Sequence, residues 1–130
     1  MPKRRLSLRV RIPPYETPRN AWRCSINEIV SQAQARLGVE YNEDDRLEVR
    51  IRLYLDKRAI ITHDVDNRVK DILDALQGRA GGSKAERSLP RIVPNDWQIF
   101  RVSVDECIPP PQSLGLGHLI IRKYRFNKAV

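Results

Sequence analysis

The strictest constraint on this chain is the alternation of apolar and polar residues from position 47 to position 55. Every second residue is apolar, and the residues between are charged or aromatic. Because successive side chains of a strand point to opposite faces, this pattern predicts a strand that is buried on one face only. The apolar positions are Leu47, Val49, Ile51, Leu53 and Leu55.

Three further segments have the pattern of strands. Apolar residues alternate with polar ones over residues 6–12, and Pro13-Pro14 ends that run. A third strand is expected around Phe100, Val102 and Val104, which alternate in the same way. A last strand is expected over residues 117–126. The chain therefore has four predicted strands, at least three of which are apolar on one face.

Two segments have the pattern of amphipathic helices. The first is predicted to follow Thr17-Pro18, because threonine suits the N-cap and proline the first helical position, and Gly38 is its expected C-cap. Its apolar residues recur at helical spacing: Trp22, Ile26, Ile29, Val30, Ala33 and Leu37. The second has an apolar stripe, formed by Val69, Ile72, Leu73 and Leu76, and is expected to end near Gly78.

The order of these elements is strand, helix, strand, helix, strand, strand. Strands that are apolar on one face need helices on only one side of the sheet. We therefore predict an α/β fold of two layers, with a mixed sheet of about four strands and two helices packed on one face. A length of 130 residues suits one hydrophobic core, so residues 1–130 are expected to form a single domain.

The charge of the chain is strongly basic. It has 24 Lys and Arg against 16 Asp and Glu, for a formal net charge of +8. Such a balance favours a polyanionic partner, of which nucleic acid is the first candidate. The side of the sheet without helices is expected to carry Arg9, Arg11, Arg50, Arg52 and Arg101. That face is either a nucleic-acid-binding surface, a solvated surface or a dimerisation surface.

Several classes of protein are excluded. No apolar run approaches the ~20 residues that a membrane-spanning helix needs, and no apolar segment follows the basic start as in a secretory signal. Cys24 and Cys107 are far apart and lie in no metal-ligand spacing, so we expect them to be reduced and at least partly buried. A cytoplasmic protein without an organic cofactor is the resulting expectation.

The chemistry is expected at His63-Asp64-Val65-Asp66-Asn67, between the second strand and the second helix. Asp64 and Asp66 are two residues apart, so in extended chain their carboxylates project from the same face. Carboxylates that close need a compensating cation, and Mg²⁺ is an effective one. The alternative is structural: Asp66 or Asn67 caps the helix and Asp64 is a solvated turn residue.

Lys70 and Asp96 extend this candidate site. Lys70 lies four residues after Asp66, so a helix that begins at Asp66 directs its ammonium group toward the carboxylates. There it is able to stabilise charge on a scissile phosphate. Asp96, just ahead of the third strand, is the candidate for a third metal ligand, although it is equally an ordinary turn acid.

These residues resemble the RusA family of Holliday-junction resolvases. The resemblance rests on Asp64-Val65-Asp66-Asn67, then Lys70, Asp74-Ala75-Leu76 and Gly78, and later Asp96 and Gln98. It implies a homodimeric endodeoxyribonuclease that uses Mg²⁺, with Mn²⁺ as a possible substitute, and resolves four-way DNA junctions by paired nicks. Carried over by position, it implies Asp64, Asp66 and Asp96 as metal ligands, Lys70 as the catalytic cation, and Asn67 and Asp74 as supporting residues.

The sequence departs from the family pattern in two places. Asn95 stands where the family usually has the first of two adjacent acids, and the loop over residues 79–94 is longer than expected. We expect the cations of that loop and of the first strand to bind DNA phosphates; they are Arg79, Lys84, Arg87, Arg91, Arg9 and Arg11.

Two other functions stay open at this point. One is a non-catalytic, basic nucleic-acid-binding module, and the other is a nuclease for other branched or single-stranded DNA. Two tryptophans have simple interpretations: Trp22 is expected in the core, and Trp97 as a packing anchor in preference to a base-stacking wedge. His63 and His118 are not expected to belong to a catalytic group.

Overall fold

The computed structural model describes residues 4–54, 65–79, 89–110 and 115–126, with only the backbone for Val65 and Asp66. The elements in chain order are β1 (Leu8–Ile12), α1 (Arg19–Leu37), β2 (Leu47–Tyr54), α2 (Val65–Leu76), a short 3₁₀ helix (Asp96–Gln98), β3 (Ile99–Cys107) and β4 (Gly117–Lys123). They form one four-stranded mixed sheet and two helices. The predicted fold class is thereby confirmed.

The strand order of the sheet is β1-β4-β2-β3. β4 runs antiparallel to both β1 and β2, whereas β3 runs parallel to β2. As a result β1, β2 and β3 all point the same way, and each helix returns the chain to the amino end of the sheet. Such parallel strands need a crossover connection, which α1 and α2 provide.

The helices cover one face of the sheet, and the core lies between the two layers. The inward residues of β1 and β2 are buried as their alternation predicts, except that Leu55 lies outside the described residues. From the helices, Trp22, Ile26, Val30, Ile72 and Leu76 complete the same apolar cluster. No helix in the described part of the chain is both long and apolar enough to cross a bilayer.

The start of α1 differs from the prediction by one residue. Pro18, in extended conformation, occupies the N-cap, and its carbonyl accepts hydrogen bonds from Ala21 and Trp22. The expectation of Thr17 as the cap is therefore wrong, because the first helical carbonyl belongs to Pro18. At the other end Gly38 has a φ of 67°, which is the left-handed C-cap predicted from the sequence.

Strand β3 differs more from its sequence pattern. Its pairing with β2 is irregular at the start, where Leu47 lies beside Ile99 but the next residue, Glu48, lies beside Arg101. Phe100 is the extra residue, so it is displaced from the core face and is 45% exposed. Val102 is 38% exposed because β3 is an edge strand. Of the three apolar residues predicted for this strand only Val104 packs against the core, together with Ile99 at the start of the strand.

The chain after α2 is held at the end of that helix. The Leu76 carbonyl accepts hydrogen bonds from Ile92 and Val93, and the Gln77 side chain donates to the Val93 carbonyl at 3.0 Å. Gly78, at φ 75°, lies against the Leu89 carbonyl so closely that a Cβ there would collide with it. The segment leading into β3 therefore starts from the carboxyl end of α2.

Candidate nucleic-acid interface and acidic motif

The face of the sheet away from the helices carries the predicted arginines. All five are exposed, and they lie in neighbouring register: Arg9 and Arg50 flank Ile120, and Arg11 and Arg52 flank His118. Arg101 lies beside Glu48, on the edge strand. The predicted location of these side chains is confirmed, and we call this surface the open face.

The centre of the open face is a shallow depression of about 270 Å³. The polar side chains that line it come from all four strands: Arg9, Arg50, Arg52, Ser103, Asp105 and His118. The row formed by Arg11, His118 and Arg52 lies near the carboxyl ends of β1 and β2. The chain enters both helices from that same end of the sheet.

Most of the positive charge of this depression is uncompensated. Among the described residues no carboxylate pairs with Arg9 or Arg50. Arg52 lies 4.0 Å from Asp105, but both side chains are more than half exposed, so water screens the pair. Arg11 donates its Nε hydrogen to the Gly117 carbonyl at 3.1 Å, which orients the guanidinium without neutralising it.

Glu48 is the exception to this excess of positive charge. Its side chain is on the open face but only 5% of the residue is exposed. It accepts a hydrogen bond from Arg122 and lies 3.7 Å from Arg101. The strand pattern predicted the side on which Glu48 lies but not its burial, which depends on arginines of two neighbouring strands.

The pKa of His118 is lowered from its ordinary value of 6.5. The first cause is burial of the imidazole, followed by the positive charges of Arg11, Arg52 and Arg9. The imidazole of His118 is therefore harder to protonate than that of a free histidine, and three arginines surround it. An anion bound in the depression would reverse part of this effect and raise the pKa.

The acidic motif lies at the start of α2. Asp66 is the second residue of the helix, and Lys70 is one turn further on and exposed. Asn67, also in the first turn, is half-buried. Asp64 and its neighbour His63 lie outside the described residues, as does the side chain of Asp66. Asp66 and Lys70 thus lie one turn apart on one helix, which begins at Val65; that Lys70 is directed toward the carboxylates stays a prediction.

Two acids further along α2 hold the two helices together. Asp71 is 0% exposed and accepts hydrogen bonds from both Arg19 and Arg23 of α1. Asp74 pairs with Arg23 at 3.2 Å. Asp74, which the resemblance implies as a supporting residue of the site, therefore contributes to helix packing. The role of Asp71 was missed, although the i, i+4 spacing of the two arginines on α1 is a usable signal.

Asp96 and its neighbours join β3 to the turn before β2. The Gln98 side chain is fully buried and donates to the carbonyls of Asn42 and Asp45, at 2.6 and 2.8 Å. Its oxygen accepts from the Asn95 backbone at 2.9 Å. Gln98 is thus a structural residue, whereas Asp96 is exposed in the 3₁₀ helix beside it.

The structure places Asp96 and the start of α2 at opposite ends of the sheet. Asp96 directly precedes β3, whose first residue lies beside the first residue of β2. Helix α1 runs back toward the amino end of the sheet, and α2 packs parallel to it, with Arg19 near Asp71 and Asn27 near Ala75. Helix α2 therefore also runs in the direction opposite to β2 and β3, and its first residues lie at the carboxyl end of the sheet.

This arrangement has a consequence for a shared metal ion. Asp66 lies ten residues before Leu76, which is about 15 Å along a helix, and the chain reaches Asp96 only beyond that end. The described part of one chain therefore does not bring Asp96 together with Asp66. Over the same residues no group of three or more metal-ligating side chains is found. Mg²⁺ is commonly held by one or two carboxylates and water, so Asp64 and Asp66 suffice in number.

The predicted DNA-binding cations do not form one surface. Arg9 and Arg11 lie on the open face, but Arg91 lies on the helical side, beside the carboxyl end of α1, and donates to the Pro94 carbonyl. Arg79 is half-buried directly after α2. Lys84 and Arg87 lie outside the described residues. Arg91 is therefore not part of the open face, and the binding of DNA phosphates by the loop cations stays a prediction.

Two predictions about burial are corrected. Trp97 is 56% exposed, so it is not a packing anchor; its neighbour Gln98 takes the buried position in the short 3₁₀ helix. Trp22, in contrast, is 3% exposed, as expected of a core residue. The second correction concerns Cys24, which was expected to be at least partly buried but is exposed, on the solvent side of α1. Cys107 is half-buried, as expected.

Comparison with known proteins adds no family assignment. The sequence matches no protein-family model and no curated protein. The fold and the open face define the chain as a two-layer α/β protein with a basic, helix-free sheet surface.

Proposed function

We propose that this protein is a magnesium-dependent endodeoxyribonuclease that acts on branched DNA, with the four-way junction as its substrate and a homodimer as its working form. The DNA-binding part rests on one structural observation: five exposed arginines occupy neighbouring positions on the open face. The cleavage part rests on the motif of residues 64–78 and its resemblance to the RusA family.

Charge and shape of the open face support a phosphate backbone as its ligand. Arg9 and Arg50 lie in one row, on either side of Ile120, and have no carboxylate partner among the described residues. Guanidinium groups bind phosphate oxygens with bidentate geometry, and neutralising several phosphates makes binding strongly dependent on salt. A broad, shallow depression suits a nucleic-acid backbone better than an enclosed small molecule.

The position of the motif supports cleavage beside this surface. Helix α2 begins at the end of the sheet where the row of Arg11, His118 and Arg52 lies. Asp64 and Asp66 are the proposed magnesium ligands and Lys70 is the proposed catalytic cation. No step of the hydrolysis is assigned to Asp96 of the same chain, because one chain does not bring it to the motif. A role for Asp96 requires that the second copy of the homodimer supply it.

The test is cleavage of a labelled synthetic four-way junction and of a linear duplex with the same sequence. We expect paired nicks in the junction with Mg²⁺, none with a chelator, and much slower cutting of the duplex. Asp64→Asn and Asp66→Asn should abolish cleavage and leave junction binding intact. Glu28→Gln is the matched control, since it removes the same charge at an exposed acid of α1, away from the open face.

Two outcomes would overturn parts of this proposal. Equal cutting of junction and duplex would reject the junction as substrate but keep the nuclease. Absence of metal-dependent cutting of either would reject the enzyme and leave a non-catalytic nucleic-acid-binding module. The position of Asp96 favours that second candidate, because it leaves the three-carboxylate site of the motif incomplete within one chain.

A further inference from the structure

A cluster of four aromatic rings, three of them exposed, lies at the amino end of β3, away from the acidic motif. It consists of Trp97, Phe100, Tyr124 and Phe126, and we call it the aromatic patch. Phe100, Tyr124 and Phe126 pack ring to ring, with centroids 5.0–5.5 Å apart. Trp97 joins them through Arg46, whose guanidinium lies 5.1 Å from the Trp97 ring and 5.6 Å from the Phe100 ring.

These rings are exposed to an unusual degree for their size. Trp97 is 56% exposed, Phe100 45% and Phe126 65%. Of the large hydrophobic side chains that are exposed in the described part of the chain, these three are the aromatic ones, and all three belong to the patch. A contiguous group of exposed rings on a chain of this charge indicates a binding surface.

The surroundings of the patch identify the chemistry of its ligand. Arg46 lies between two of the rings, and Arg101 stacks over Tyr124 at 5.4 Å. Two of the nearby acids are engaged: Asp45 pairs with Arg4, and Glu48 pairs with Arg122. Three exposed acids lie at the edge of the patch: Asp96, next to Trp97, and Glu43 and Asp44, in the turn before Arg46. Aromatic faces interleaved with guanidinium groups suit bases on a phosphate backbone and do not suit a purely apolar partner.

We propose that the aromatic patch stacks bases of DNA that are unpaired at the branch point of the junction, while the open face holds its duplex arms. This proposal rests on the proposed function in taking DNA as the ligand. Arg101 belongs to both surfaces, so the patch is continuous with the open face. The patch lies at the amino end of β2, and the row of Arg11, His118 and Arg52 lies near its carboxyl end. Because β2 is eight residues long, these two parts of the surface are at most roughly 25 Å apart.

The chain provides its own spectroscopic probe for this inference. It contains two tryptophans, of which Trp22 is 3% exposed and Trp97 is 56% exposed. Stacking of a base on Trp97 should therefore quench part of the intrinsic fluorescence, whereas the Trp22 signal should not respond. The ligand for the test is an oligodeoxythymidylate of about ten nucleotides, titrated in the presence of a chelator so that no cleavage is involved.

The variants separate the patch from the rest of the surface. Phe126→Ala and Phe100→Ala should each weaken oligonucleotide binding by about tenfold, which is the loss expected when one stacking ring is removed. Trp97→Phe should remove the quenching and keep most of the affinity, since a ring remains. Ile108→Ala is the matched control, because Ile108 is an exposed apolar residue, 58% exposed, just beyond the other end of β3. Binding of linear duplex should be unchanged in all of them.

Three results would overturn the inference. The first is absence of quenching by the oligonucleotide, and the second is equal weakening by Ile108→Ala and Phe126→Ala. The third is self-association that Phe126→Ala abolishes without any oligonucleotide binding, which would make the patch an interface between two copies. If the unmodified protein does not cleave the junction but the oligonucleotide still quenches its fluorescence, only the proposed nuclease is rejected and the binding role of the patch stands.

Discussion

Asp71 of α2 and Arg23 of α1 form a hydrogen-bonded ion pair that is buried between the two helices. The Asp71 Oδ1 atom accepts both Nε and a terminal nitrogen of Arg23, at 3.1 and 2.9 Å. Asp71 is 0% exposed and Arg23 8%. The pair determines how α2 lies on α1, and therefore where the neighbouring Lys70 and the start of α2 are held.

Asp71→Asn is predicted to destabilise the fold by about 3 kcal/mol. Removal of the Asp71 charge leaves the buried Arg23 with Asp74 as its remaining carboxylate among the described residues, and breaking a buried pair in this way costs more than the pair itself contributes. The free energy of unfolding from urea titrations measures this loss. Asp105→Asn, at an exposed pair, should change it by less than about 0.5 kcal/mol. Equal effects of the two variants would show that burial of Asp71 does not matter to stability.

Arg50→Gln is predicted to weaken duplex binding and to reduce its dependence on salt. Loss of one phosphate contact lowers the slope of log K against log salt by about 1, with no change in the free energy of unfolding. Binding isotherms at several salt concentrations measure the slope. Arg91→Gln is the control, because Arg91 lies on the helical side. An equal change in slope for Arg91→Gln would contradict the open face as the binding surface.

Glu48→Gln is predicted to separate stability from DNA affinity. It removes the buried carboxylate that Arg122 and Arg101 share, so stability should fall by about 2 kcal/mol. The two arginines then become free to bind phosphate, and DNA affinity at low salt should rise. Parallel urea titrations and binding isotherms test both effects. Weaker DNA binding by the folded variant would show that Glu48 orients these arginines for the ligand.

His118 is predicted to titrate below its ordinary pKa in the free protein and closer to it when the open face holds an anion. Its folded pKa is lowered by burial and then by Arg11, Arg52 and Arg9. Near and below pH 6.5 the unfolded chain therefore binds more protons than the folded one. The contribution of His118 to stability is present above that pH and is lost as the pH falls toward the folded pKa.

Proton NMR of the imidazole measures both parts of this prediction, and His118→Gln assigns the signal. Arg52→Gln should raise the pKa of His118, and so should an added oligonucleotide duplex. An unchanged pKa with bound duplex would place the phosphates away from the depression.

A subunit-mixing experiment tests the role of Asp96 in the proposed homodimer. Because one chain holds Asp66 and Asp96 at opposite ends of α2, Asp96 is predicted to reach a metal site only from a second copy. Asp66→Asn and Asp96→Asn proteins, each inactive alone, should then recover cleavage when mixed, since one of two shared sites is intact. Full activity of Asp96→Asn alone, or absence of recovery, would exclude such a shared site.

The sequence by itself determined the layout of this protein. Alternation over residues 47–54 and helical spacing after Trp22 each report the side on which a local element is buried. That periodicity is a local property. It was therefore sufficient to predict the order of helices and strands along the chain, the single helical layer, and the open face with its arginines. Gly38 was predictable for the same reason, because a left-handed C-cap is specified by one residue.

Only the tertiary structure decided which residues meet across elements. The burial of Asp71 and Glu48 depends on arginines of other elements, distant in sequence. The exposure of Phe100 follows from an irregular pairing with β2, and the position of Asp96 from the direction in which β3 runs. Pairing register and strand direction are set by the packing of the whole sheet, and no periodicity within a single segment encodes them.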